Sequence, residues 1–563
     1  MSALAVGGAA AGQAFQPGNL VVSRAFYDLN SNLIQPGATL LPPNCIGANC
    51  VTATANSAYP FVFNNVLTDA SFGITTKIFL DQITPQGAPV NSIEVPNSSD
   101  RHAEANQDQM VTSFSSKSEI ALNLSTDGRH LTFMGYRAPI GTIDASNSNT
   151  PGVVDPTNPV PNSYYRVVAK VDQSGNFGFT ETNAYSGNNG RAAILYRAGG
   201  NQDADGRRGD DHHGEGHDGD DHNGGADLVY TVGNAGNGGN PQPNGVILGA
   251  GAQILTASPQ PLAEQNPGLP TPVGSFSITE LGLKADKVGK DTNFRGLAVS
   301  NNVIYMTKGS GSNGVNTVYF VDTSGLNASG LPAACPNGVG VPNPHATLPT
   351  APIMYNAANL QTLGVAPYNM CILKGFNTTL AKTSTTAFPF GVWFANAKTV
   401  YVSDEGNGTT TYDATTKVYT AAAAQTTAGL QKWVFNDATG SWQLAYTLTA
   451  GLNLGAPYTV KGYPTGLNSA TGLPWAPATD GLRNITGRVN EDGRSVTIWA
   501  VTSTVSGNGD QGADPNKLVA ITDELAATTL PGKESFTTVR TAGYGEALRG
   551  VSFTPGSTVT ANR

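Results

Sequence analysis

The strand rhythm of this chain ends out of phase with its beginning, and that constrains the fold more than any other feature. Residues 388–450 contain four apolar runs in succession, FPFGVWFANA, TVYVSDEG, GLQKWVFNDATG and SWQLAYTLTAG. Each is short, bounded by Gly, Asn or Asp, and dominated by β-branched and aromatic residues, as in a four-stranded antiparallel meander. The chain ends on a single run of the first type, EALRGVSFTPG (546–556), and begins with three runs of the second to fourth types, NLVVSRAFYD, TKIFLDQITPQG and VNSIEVP. A C-terminal strand that completes an N-terminal sheet closes a ring and leaves no free edge between the first and last sheets. The expectation is an all-β chain folded as a six-bladed β-propeller; a seventh blade would have to lie inside the insertions. Two β-sandwich domains are the competing arrangement, but they leave the divided terminal meander unexplained.

The intervening runs give the other blades. Blade 2 is read from EIALNLSTDGRHLTFMGYRA, SYYRVVAKVDQSG and NFGFTETNAYS, and blade 3 from GRAAILYR, DLVYTVGNAG, GVILGAGAQILT and GSFSITEL. Blade 4 is read from NFRGLAVSNN, VIYMTKGSG and NTVYFVDTSG. Blade 6 is read from GLRNITGRVNEDG, SVTIWAVTST, KLVAITDE and SFTTVRTAGY. Asp127–Gly128 and Asp492–Gly493 mark tight hairpins, since glycine accepts positive φ without steric cost. Long insertions are expected at about 30–75, 199–226 and 326–385. Residues 1–17 read as a signal-peptide remnant or a disordered N-terminus, and 18–563 as one propeller domain. No long amphipathic segment of helical period is present, so helix content should be small.

A net charge of −9 argues against nucleic acid as partner, because such proteins present a basic face. No run of about 18 apolar residues exists, so no membrane-spanning helix is expected. The four cysteines fall into two close pairs, Cys45/Cys50 and Cys335/Cys371, in loop-like stretches. CxxxxC without a second close pair is a poor zinc pattern, so two disulfides are expected, and with them a secreted, extracellular or periplasmic location.

In a propeller the start of each innermost strand opens on one mouth of the channel. Four such starts carry an arginine, Arg191, Arg295, Arg483 and Arg549, in the strings NGRAA, FRGLA, LRNIT and LRGVS. A planar, permanently charged fork suits a carboxylate, phosphate or sulfate, so the four are candidate substrate-binding residues for an anionic small molecule. The plainer reading is that each pairs with a carboxylate or carbonyl of the neighbouring blade. Glu546, Asn484, Asn189 and Asn293 lie beside these arginines. A carboxylate with several amide oxygens is a candidate Ca²⁺ set, although any one asparagine equally serves as a turn or strand cap. In the polar connection SSDRHAEANQDQ (98–109), His102 is the side chain best suited by type to act as a general base, with Glu104 beside it. The loop DADGRRGDDHHGEGHDGDDHNGGAD (203–227) concentrates His212, His213, His217 and His222 among acids. It is a candidate secondary site for Zn²⁺, Cu²⁺ or Ni²⁺, or else a solvated insertion.

The strings NFRGLAVSNNVIYM and EALRGVSFTPG resemble the Gly-Leu-Ala-Val inner-strand motif of the esterase-like phytases. The chain more broadly resembles six-bladed propeller hydrolases of that group and of the gluconolactonase/phosphotriesterase group. In the latter a glutamate on the first inner strand binds a channel calcium, and the resemblance implies Glu546 as its counterpart. The departures are specific. The DADDP-like motif of the alkaline phytases is missing, Asp203-Ala204-Asp205-Gly206 matching only its start, and STDGRHLTF has the turn of a sialidase Asp box without its spacing or its Trp. No GxSxG elbow, phosphate-binding loop, HExxH or dinucleotide fingerprint occurs. The expectation is a secreted hydrolase of an ester, lactone or phosphoester, with Ca²⁺ and arginines holding the oxyanion. The alternative is a non-catalytic propeller that binds an anionic ligand or a surface glycan.

Overall fold

The computed structural model describes residues 15–27, 37–41, 51–52, 63–65, 69–97, 110–154, 160, 162–197, 227–235, 251–257, 293–311, 314–325, 327–330, 333–350, 370–383 and 387–557. Six antiparallel sheets form the blades of a β-propeller. Blade 1 is the divided one. Its inner strand, Glu546–Phe553, pairs with Leu20–Phe26 so that Leu20 faces Phe553 and Phe26 faces Glu546; Thr75–Ile83 and Pro89–Glu94 follow outward. The ring is therefore closed through the two ends of the chain, as the strand rhythm required.

Blade 2 runs from Asn123–Leu124 through His130–Tyr136 and Arg166–Asp172 to Phe177–Thr182. Blade 3 shows Gly190–Tyr196, Leu228–Gly233 and Gly251–Thr256; the expected fourth run, GSFSITEL, lies outside the described residues. Blade 4 uses Leu297–Ser300, Val303–Lys308, Thr317–Val321 and Met370–Leu373. Blade 5 uses Pro389–Asn396, Thr399–Asp404, Gly429–Asn436 and Ser441–Leu448. Blade 6 uses Ala478–Val489, Ser495–Val505, Lys517–Glu524 and Thr537–Thr541.

Turn chemistry sets the hairpins. Asn301 and Asn302, at φ 48° and 58°, make the two-residue link between the first strands of blade 4. Asparagine is one of the few residues that accepts this left-handed conformation, which matches the twist of the strands it joins. Gly493 at φ 64° takes the same left-handed conformation in the five-residue loop between the first strands of blade 6, where Asp492 Oδ1 accepts from the backbone N–H groups of Arg494 and Ser495. Among the described residues α-helix is confined to one turn, Thr420–Ala423.

The insertion assigned to 326–385 contains the fourth strand of blade 4, the short run MCIL, against which Val339–Gly340 pairs in parallel. Its Pro- and Asn-rich flanks masked it. Cys371 lies on that strand and is disulfide-bonded to Cys335, tying the insertion to the blade. Cys45 and Cys50 lie outside the described residues.

The cores lie between blades. Leu20, Val22, Trp499, Val501, Leu548, Val551 and Phe553 fill the seam where blade 6 meets blade 1. Trp499 is fully buried there, edge-on to Phe553, and its indole N–H donates to the carbonyl of Pro85 at 3.0 Å. Arg24, Asp81, Arg540 and Glu546 add a charged clasp to the same seam. Asp81 receives Arg24 at 2.6 Å and Arg540 at 2.8 Å, while Glu546 lies 3.1 Å from Arg24.

Candidate anion site at the channel mouth

Inner strands begin, and second strands end, at the same end of an antiparallel blade, so residues at those positions from several blades converge on one mouth. There the structure has an open cavity of ≈ 380 Å³, within the range of small-molecule sites. Lys117 reaches it from the segment leading into blade 2, and Arg295 from the start of blade 4. Glu405 and Gly406 follow the second strand of blade 5, and Asp480 and Arg483 lie on the inner strand of blade 6.

The arginines are stitched to their neighbours and gathered round the axis at once. Arg483 Nε donates to Glu405 Oε2 at 3.1 Å across the blade 5–6 boundary. Arg295 donates to Ser118 Oγ at 3.0 Å and to Ser310 Oγ at 3.2 Å, and its guanidinium lies over the Phe390 ring. Arg191 donates to the carbonyl of Phe294 at 2.8 Å and to Asn293 Oδ1. Arg549 donates to the carbonyls of Gly512, at 2.7 Å, and Phe114. The plain reading of interblade pairing thus describes what these four do locally. Even so, Arg295 and Arg483 line the cavity, and Arg191 and Arg549 stand behind them within electrostatic reach.

The charge balance at the mouth is lopsided. Burial, and then the neighbouring Arg483, lower the pKa of Lys117. Burial, and then Arg483, bring Arg549 down to about 9; burial, and then Arg295, take Arg191 well below its ordinary value. Burial pushes Glu405 upward, but Arg295, Arg483 and Lys117 outweigh it and hold the carboxylate ionised. Asp480 is pushed up to about 6 and Asp404 to about 7, chiefly by burial. Each is kept in place by backbone donors, Asp480 by Gly408 at 2.8 Å and Asp404 by Phe388 and Gly406 at 2.7 and 2.9 Å. The cavity wall therefore carries three cations, one firmly ionised acid and one acid near its midpoint at weakly acidic pH.

Two cavity donors are unspent. The half-buried Lys117 ammonium makes no hydrogen bond among the described residues. Asn316 Nδ2 is buried without a partner, although Oδ1 of the same side chain accepts from Lys308 at 2.9 Å. Unsatisfied donors facing a cavity call for a ligand, or water, that supplies acceptors.

The proposed calcium ligands do not form one oxygen cage. Glu546 belongs to the seam clasp with Arg24, and its Oε2 accepts from Gly543 N–H at 3.0 Å. Asn484 Oδ1 accepts from Val551 N–H at 2.7 Å, tying blade 6 to blade 1. Asn189 and Asn293 both turn their oxygens to Arg191, while Asn189 Nδ2 donates to Glu119 at 2.8 Å. The oxygens are thus committed to N–H donors in three separate networks, two of them built on arginine, and this arrangement does not fit a hard cation. Among the described residues no group of three or more His, Cys, Asp or Glu side chains is placed to hold a metal ion. His102 and Glu104, and the loop histidines His212, His213, His217 and His222, lie outside the described residues.

Sequence reasoning missed Lys117, Glu405, Asp480 and Asn316. A usable signal existed for two of them. Lys117 sits in SSKSE just before the first strand of blade 2, and Glu405 follows a clean apolar strand in TVYVSDEG, at the end of the blade where the arginines begin. Asp480 and Asn316 carry no such mark.

No family model matches the chain, and no curated protein matches it. Among solved structures, extracellular domains 1–2 of Drosophila semaphorin 1a share 11% identity over 77% of this chain and 71% of that one, with a TM-score of 0.16. That likeness bears on neither architecture nor function. Among the described residues no helix is long and apolar enough to cross a membrane.

Proposed function

We propose that this propeller binds a small organic anion at one mouth of its channel. The observation that carries the reading is the cavity wall on which Lys117, Arg295 and Arg483 converge against one firmly ionised acid, Glu405. Two guanidiniums fixed by serine and glutamate partners are pre-organised, so little rotamer entropy is lost when they meet a carboxylate, sulfate or phosphate. The Cys335–Cys371 disulfide supports an oxidising compartment, and hence a secreted or periplasmic protein. The test is calorimetric titration with a monocarboxylate, a sulfate ester and a phosphomonoester, each against a neutral analogue. Anions should bind and the neutral analogues should not, and Arg295→Met together with Arg483→Met should abolish the heat. Equal binding of neutral analogues would sink the reading.

Hydrolysis of an ester, lactone or phosphoester is the second reading, and one observation favours it. Asp480, on the cavity wall, has its pKa raised to about 6, where a carboxyl can both give and accept a proton near neutrality. In that role it would activate water while the cations hold the developing oxyanion, and no step runs through calcium. Turnover of an ester, lactone and phosphoester panel that disappears in Asp480→Asn would support it; a silent panel leaves anion binding as the function.

A further inference from the structure

Among the described residues two lysines are fully buried, Lys308 and Lys432. Lys308 donates to Asn316 Oδ1 at 2.9 Å and to the carbonyl of Ser310 at 3.1 Å. Lys432, fully buried between blades 5 and 6, is paired with Asp523 at 2.9 Å and donates to Tyr446 Oη at 2.9 Å. These are structural ammonium groups, saturated with acceptors. Lys117 is unlike them. It faces an open cavity, makes no hydrogen bond among the described residues, and lies within electrostatic reach of the guanidiniums of Arg483 and Arg295 and of the carboxylates of Glu405 and Asp510. Desolvation, and then the neighbouring Arg483, outweigh those carboxylates, and an amine so placed loses its proton more readily and becomes a nucleophile. The same two guanidiniums supply a carboxylate-binding fork beside it.

We propose that Lys117 is a reactive amine that condenses with the carbonyl carbon of a small oxo acid whose carboxylate is held by Arg295 and Arg483. The proposal rests on the anion-binding reading and narrows its ligand to one class. In the step, Nζ gives up its ammonium proton to a cavity carboxylate or to water. Its lone pair then forms the C–N bond while the carbonyl π pair moves to oxygen, which takes up a proton as the nitrogen loses one. The carbinolamine next loses the oxygen as water, the C–O bond breaks with a second proton added, and the nitrogen pair closes C=N as nitrogen loses its remaining acidic proton. Amine and carbonyl thus give imine and water, with no change in oxidation state. Glu405 and Asp480 are the carboxyl groups on the cavity wall that can relay these protons.

The test uses the whole protein with pyruvate as probe, lactate as its reduced counterpart that cannot condense, and cyanoborohydride to trap any imine. Peptide mass spectrometry then locates the adduct. Exposed Lys398, ion-paired with Asp437, is the internal comparison. The expected result is labelling of Lys117 by pyruvate roughly ten-fold above Lys398, suppressed by excess lactate. Lys117→Arg keeps the positive charge but removes the nucleophile; its unfolding midpoint should match that of the parent protein, which separates loss of chemistry from misfolding, and cyanoborohydride should trap no adduct at position 117. If pyruvate and lactate both bind and Lys117 is labelled no more than Lys398, the reactive-amine proposal falls and anion binding stands. If neither acid binds, the anion reading itself fails.

Discussion

Arginines meet carboxylates in two places in this propeller, and the two arrangements differ in whether anything is left over. At the seam between blades 6 and 1, Arg24 and Arg540 face Asp81 and Glu546, and Ser92 adds a further hydrogen bond to Asp81 at 2.5 Å. Two positive charges meet two negative ones. At the channel mouth, Lys117, Arg295 and Arg483 face Glu405 and Asp480, whose pKa of about 6 lets it take up a proton just below neutrality. The seam is a closed account of charge, which is what a structural fastening needs. The mouth keeps a surplus of cation, held rigid by interblade hydrogen bonds, which is what an anion site needs.

The sharpest way to break the comparison is at the seam. Asp81→Ala leaves two partly buried guanidiniums without their shared acceptor, and Trp499→Ala opens a cavity in the adjoining core. The expected losses in unfolding free energy are roughly 3 kcal/mol for the first and about 3–5 kcal/mol for the second, read from denaturant midpoints. Anion affinity should change by no more than about two-fold in either variant, since the two regions share no charged partner. A large affinity change at constant fold would mean that seam and mouth are one coupled network.

The two regions also respond to pH in opposite directions. Burial works against ionised Asp81, but Arg24, Ser92 and Arg540 outweigh it and hold its pKa below the ordinary 3.8. Its contribution to stability is therefore fully present above that value and is lost as pH falls through the lower folded-state pKa. Asp480 and Asp404 are raised, to about 6 and about 7. The folded state binds more protons than the unfolded state between those values and about 4, so stability should rise as pH falls from 8 towards 5. Asp480→Asn should flatten that rise by on the order of 2 kcal/mol. An unchanged slope in this variant would show that Asp480 titrates normally.

The fold was legible because its signal is periodic and redundant. The divided meander, the hairpin dipeptides and the β-branched runs all pointed to the same ring, and the one strand lost, Met370–Leu373, is four residues between Pro- and Asn-rich flanks. The mouth was half legible. Arginines at inner-strand starts stand out because that position repeats in every blade, and the structure gathers all four around the axis. Lys117 and Glu405 lie one element away from the repeat, and their importance comes from what the ring closure brings together. Glu546 shows where strand position stops predicting a residue's place at the mouth. Only two residues separate it from Arg549, yet Arg549 reaches blade 6 at the axis while Glu546 joins the seam clasp.

The smallest expected effect is also the most specific to the mouth. Glu405 is the acid that keeps the site from being more cationic still, and its ion pair holds Arg483 at 3.1 Å. In Glu405→Gln the amide oxygen can still accept from Arg483, so the guanidinium stays in place while one negative charge disappears. Monocarboxylate affinity should rise about three- to ten-fold, equivalent to roughly 0.7–1.4 kcal/mol, and should show a steeper loss with added salt because the net charge facing the ligand is larger. Lys117→Met makes the opposite change, removing an unpaired cation, and should weaken binding by about ten-fold with little effect on stability. If Glu405→Gln instead weakens binding, Glu405 serves the ligand mainly by positioning Arg483. The mouth would then be organised like the seam, around a pair in which neither charge can be spared.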